Sequence, residues 1–115
     1  MKDVSGKIEY KGVIYKLVFN LNVMETIQDE YGTIEHWGEI TDGSSGEPNA
    51  KAVKFGFQAM LNEGIDIMNE ENGTEIKKFT LQQVGRMLSD MGLDNATAVL
   101  NQTVVESTKS EEKNG

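Results

Sequence analysis

The chain contains no cysteine, and only one proline, one histidine and one tryptophan, in 115 residues. Without cysteine there is no disulfide framework and no thiolate metal site, a composition that fits a reducing compartment. A single histidine, His36, excludes a multi-histidine metal site and leaves any catalytic triad dependent on this one imidazole. Basic residues are scarce too: 11 Lys and Arg stand against 19 Asp and Glu, a formal net charge of -8. That balance disfavours nucleic-acid binding through phosphate neutralisation and favours a basic partner. No apolar run approaches the roughly 18 residues of a membrane span, and the opening MKDVSGKIEY lacks the apolar core of a signal peptide. The expectation is a soluble intracellular protein without membrane contact, and the length suits one domain with one core.

What is present is concentrated first in residues 13 to 32. Val13, Tyr15, Leu17 and Phe19 alternate and would share one face of a strand. An earlier β-like run, Val4 to Tyr10, places Val4, Ile8 and Tyr10 on one face, and Lys11-Gly12 between the two runs reads as a hairpin turn. Asn22, with Glu25 three residues on, reads as a helix cap, followed by Val23, Met24, Ile27 and Tyr31 at helical spacing and Gly32 as a stop. Two strands alone are marginally stable, so later helices must cover the hairpin.

Thr33 is positioned to cap a short helix bearing Ile34, Trp37 and Ile40, with Trp37 a core or edge anchor or, alternatively, a partner hot spot. Thr41 to Pro48 is a loop. Asn49 to Asn72 is helical, with Val53, Phe57, Met60, Leu61 and Met68 on one face; Gly56 and Gly64 leave open one long helix or two. Asn72-Gly73 marks a turn, and 74 to 79 reads as irregular or extended. Thr80 and Gln83 form a capping box for a helix with Leu81, Val84, Leu88 and Met91 in one stripe, ended by Gly92. Asp94 or Asn95 would cap a last helix with Ala96, Val99, Leu100, Thr103 and Val104 on one side and Val105 outside it. The expected fold class is α+β, mostly α: an N-terminal β-hairpin packed against about four or five helices. Residues 1–106 would form the single domain, and 107–115, with no apolar side chain, a disordered tail.

The residues that could do chemistry do not converge. His36 lies beside Trp37 with no serine motif or cysteine to serve, and reads as a surface helical residue. Glu25 with Asp29, and Asp66 with Glu70, are spaced as a solvated helix face and lack a calcium-binding loop. Gly43 and Gly46 are followed by no Gly-Lys-Ser/Thr, so a phosphate cradle is unsupported. Neither a cofactor nor a metal is expected, and the chain is not expected to be an enzyme. Met60, Met68, Met87 and Met91 lie on or near apolar helix faces, as core filling or as a flexible partner groove. Met87, Met91, Val99, Leu100 and Val104 are the candidate partner-binding residues, on the expectation that parts of them are exposed for client binding or self-association.

The order of elements, with Phe-Asn-Leu-Asn at 19 to 22, Glu-Thr-Ile-Gln-Asp-Glu-Tyr-Gly at 25 to 32, Trp37, a longer helix and Thr-Leu-Gln-Gln-Val-Gly-Arg-Met-Leu at 80 to 88, resembles the tail assembly chaperones of long-tailed bacteriophages and prophages. The resemblance covers roughly residues 7 to 105, with Gln82 and Gln83 where the family carries a more acidic pair. It implies a non-catalytic protein of the bacterial host cytoplasm. Such a protein binds the tape measure protein, keeps that long chain soluble, and supports assembly of tail tube protein around it. Many such proteins have a longer form made by ribosomal frameshifting, and Glu112-Lys113-Asn114 can be encoded by a slippery heptamer. The alternatives are a small structural tail or connector protein and a cytoplasmic protein-binding regulator.

Overall fold

A computed structural model describes the backbone of residues 6–114 and the side chains of 6–107. The chain folds as an antiparallel hairpin followed by five helices, an α+β arrangement that is mostly α. Strand β1 (Gly6–Tyr10) pairs with β2 (Val13–Leu17) in the register Ile8 to Tyr15 and Tyr10 to Val13. Lys11 and Gly12 between them have φ of 52° and 80°, the two positive values a type I′ turn requires, which glycine tolerates and lysine adopts at a cost. Paired residues share a face, so Ile8, Tyr10, Val13, Tyr15 and Leu17 look inward while Glu9 and Ile14 look out. Val4 lies outside the described residues.

Helices α1 (Leu21–Tyr31), α2 (Ile34–Thr41), α3 (Ala50–Asn72), α4 (Leu81–Met91) and α5 (Leu93–Asn114) follow. Gly32, Gly73 and Gly92 end α1, α3 and α4, and Thr33, Asn49 and Thr80 open α2, α3 and α4 through their side chains. The expected Thr80–Gln83 capping box is formed on both sides.

Helix α3 is the centre, in contact with β2, α1, α2, α4 and α5. Its buried residues run in two adjacent rows four apart: Val53, Phe57, Leu61 and Ile65 form a bulky row, and Ala52, Gly56, Met60 and Gly64 a smaller one. The smaller row admits close neighbours. A Cβ on Gly56 would fall on the Trp37 indole, and one on Gly64 would fall on the Lys16 carbonyl of β2. Both glycines therefore mark close packing and α3 is one helix. Trp37 is buried against it, its indole N–H donating to Ala52 O at 3.1 Å. Ile65 joins the core, whereas Met68 is only half-buried.

Local expectations differ from the structure at both ends of the chain. The cap of α1 is Asn20, not Asn22: the Asn20 side chain accepts from Val23 N at 3.2 Å. Asn22 sits in the first turn, and both amides donate to Glu63 Oε2 on α3, at 2.8 and 3.0 Å. That carboxylate bridges two helices and sits at the positive end of the α1 dipole. Phe19 falls beyond the strand, and Val13 is 48 % exposed although its face points inward. Asp94 and Asn95 lie inside α5, whose first turn is closed by Ala96 N donating to Gly92 O. The segment expected as a disordered tail, 107–115, is helical as far as Asn114, with Ser107 Oγ donating to Phe19 O at 3.0 Å. It contains no proline, and glycine only at its end, so nothing in its backbone chemistry interrupts a helix. Gly115 is outside the described residues. No described helix is long and apolar enough to cross a membrane.

Candidate functional site

The five candidate residues divide by burial. Met87 and Leu100 are buried in the core and present no surface to a partner. Met91, Val99 and Val104 are half-buried at its edge, on the pair formed by α4 and α5. Leu100 is covered because α5 packs on α3, α4 and β1 at once, a three-sided enclosure that periodicity along one helix does not reveal. Leu93, seven residues before Leu100 on the same helical stripe, is exposed, and Val105 is 54 % exposed on another side.

His36 is exposed on α2, and its backbone N–H serves the Thr33 cap. No three carboxylates or imidazoles come together in a metal-sized group among the described residues. Asp42 is held below its ordinary range by hydrogen bonds from Ser44, including its backbone N–H at 2.8 Å, in an exposed loop. Burial, aided by Glu30, pushes the Tyr31 hydroxyl above its ordinary value of 10.0. That oxygen is buried without a hydrogen-bond partner among the described residues, and its ring packs edge-on to Phe55 at 5.5 Å.

Two open grooves mark the surface of the described residues. One, between α1 and α3, is lined by Thr26, Phe55, Gln58, Asn62, Glu63 and Asp66, and is acidic. The other lies where the hairpin tip overhangs α4, between Tyr10, Lys11, Val13 and Tyr15 on one side and Phe79, Gln83 and Arg86 on the other, with a volume of about 330 Å³. The Phe79 ring meets Tyr15 edge-on at 5.3 Å and Tyr10 at 6.4 Å, and the Lys11 ammonium lies 5.4 Å from the Tyr10 ring centroid. This second groove explains the exposure of Val13: the inner face of the hairpin continues past the helices that cover it.

The rear wall of that groove is fixed by a device not anticipated from the sequence. The irregular segment 74–79 runs back along α3, tied by its backbone to amide side chains. Asn69 exchanges two hydrogen bonds with Ile76, both at 3.0 Å, and Asn62 exchanges two with Phe79, at 2.8 and 3.0 Å, while Gln58 donates to Phe79 O at 3.1 Å. Seven helical residues from Asn62 to Asn69 rise about 10.5 Å, and three extended residues from Ile76 to Phe79 span about 10 Å, so the two ladders match in pitch. The asparagines act as a surrogate strand edge. A signal was present: Asn62, Asn69 and Gln58 lie at helical spacing just before a segment with no partner strand.

Charge is segregated as well. Residues 17–50 hold seven carboxylates, from Glu25 to Glu47, and no Lys or Arg. The hairpin, segment 74–79 and α4 carry Lys7, Lys11, Lys16, Lys77, Lys78 and Arg86 against Glu9, Glu75 and Asp90. Among known proteins, no family model matches the chain, and no curated protein and no solved structure is similar to it.

Proposed function

We propose that the chain is a non-catalytic tail assembly chaperone of a long-tailed bacteriophage or prophage. It works in the host cytoplasm, binds the tape measure protein, and supports assembly of the tail tube around it. The observation that carries this reading is the α4–α5 pair, where half-buried Met91, Val99 and Val104 continue outward to exposed Leu93 on an otherwise acidic body. An apolar helix of a client can lay its face along such a seam, exchanging water for thioether and aliphatic contact, while the charge of -8 keeps the complex from aggregating. The same pair supplies the surface for contact with tail tube protein or for self-association.

Co-expression with the tape measure protein of the same genome tests the reading. The expected outcome is that the tape measure protein becomes soluble and co-purifies with the chain, and that mass spectrometry finds the chain absent from finished virions. A stoichiometric presence in virions would instead make it a structural tail or connector protein. Failure to solubilise or bind the tape measure protein would remove the chaperone reading.

A further inference from the structure

We propose that the groove between the hairpin tip and α4 is a docking site for a short acidic peptide segment anchored by an aromatic or leucine side chain. This inference stands whether or not the chaperone reading does, because it rests on a different surface.

The lining of the groove is mixed, with three aromatic rings and a valine set among the polar ends of Lys11, Gln83 and Arg86. Tyr10, Val13, Tyr15 and Phe79 offer ring edges and faces and a branched methyl pair. An apolar anchor placed there loses water contact on several sides, the geometry in which single side chains dominate peptide binding.

The rim decides the sign of the ligand. Lys11 and Arg86, both exposed, are in no ion pair among the described residues, and no carboxylate lines the groove. In a chain with 19 acidic and 11 basic residues, a groove with two cations and no acid is the reverse of the whole. The groove between α1 and α3 shows the contrast, since Glu63 and Asp66 line it. Arg86 can take a carboxylate with two parallel N–H donors, and Lys11 supplies a point charge held over a ring. The acidic remainder of the molecule repels a long polyanion, so the site suits a short acidic patch rather than nucleic acid.

The groove is also preorganised. Phe79 is held through both its N–H and its C=O by Asn62 and Gln58, and Gln83 is engaged in the α4 capping box. The hairpin tip is fixed by its two-residue turn. A ligand therefore has little protein ordering to do on entry, which favours affinity from a small contact.

The test is amide chemical-shift mapping of the full chain with three probes: the peptide Gly-Asp-Glu-Phe-Leu-Asp-Glu-Gly, its counterpart with lysine at each acidic position, and a short oligothymidylate. The acidic peptide should shift the amides of Lys11, Val13, Phe79 and Arg86, with an affinity that falls as salt is raised. The Lys11→Glu, Arg86→Glu double variant, both sites being exposed, should keep the wild-type spectrum elsewhere and bind that peptide at least about tenfold more weakly. The proposal is overturned if millimolar acidic peptide leaves these amides unmoved, if the lysine peptide binds as well, if the charge-reversed variant binds equally, or if oligothymidylate is the probe that moves them.

Discussion

Gly38 and Gly56 are both helical glycines, yet they should respond to alanine with opposite signs. At Gly38 an added Cβ meets nothing within 4 Å, so Gly38→Ala should stabilise by about 0.5–1 kcal/mol through helix propensity. At Gly56 the Cβ falls on the buried Trp37 ring, so Gly56→Ala should destabilise by about 1–3 kcal/mol despite the same propensity gain. Thermal melts of the two variants compare them directly, and Trp37 emission reports loss of the burial at position 56. Tyr31 supplies a second test. Its hydroxyl is buried without a partner among the described residues and its ionisation is pushed above 10.0, so the unfolded chain gives up this proton first. Stability from this group is intact below pH 10 and is lost as pH rises through the folded value. Tyr31→Phe should leave neutral-pH stability unchanged or raised and make the alkaline decline shallower, measured as melting temperature at neutral pH and above pH 10.

At the scale of elements, the asparagine ladder makes segment 74–79 a part of the fold rather than a loose connection. Asn62→Ala removes the partner of Phe79 N–H and one of the two donors to its C=O, and should cost about 1–3 kcal/mol. Amide exchange at Phe79 should accelerate well beyond that of the α3 core, while Asn69→Ala should act in the same way at Ile76. The helices themselves were readable from spacing, caps and glycine stops, because those signals are local. The cap of α1 was not: Asn20 and Asn22 are both competent, and the choice involves Glu63, forty-three residues away from Asn20. Continuity through Gly56 and Gly64 was equally hidden, since a glycine that breaks a helix and one that admits a neighbour look the same in sequence.

For the whole molecule, charge is the dominant long-range term. Residues 17–50 concentrate seven carboxylates with no Lys or Arg, so their mutual repulsion opposes compaction and salt should relieve it. Raising sodium chloride from low concentration to about 0.3 M should raise the melting temperature, since the Lys78–Asp66 pair at 3.4 Å that salt would weaken in return is exposed. Of the candidate partner residues, sequence could place Met87, Met91, Val99, Leu100 and Val104 on apolar stripes but could not rank their exposure. A stripe records which side of a helix is apolar, whereas burial depends on how many neighbours close over it. The sequence by itself determined the hairpin, the helix order and the acidic balance, all properties of short windows or of composition. Tertiary structure decided that α3 is the central helix, that Met87 and Leu100 are interior, and that Tyr15, Phe79 and Arg86 share one groove. Those facts come from contacts between residues far apart in the chain, set by close packing around two glycines and by side-chain hydrogen bonds to distant backbone.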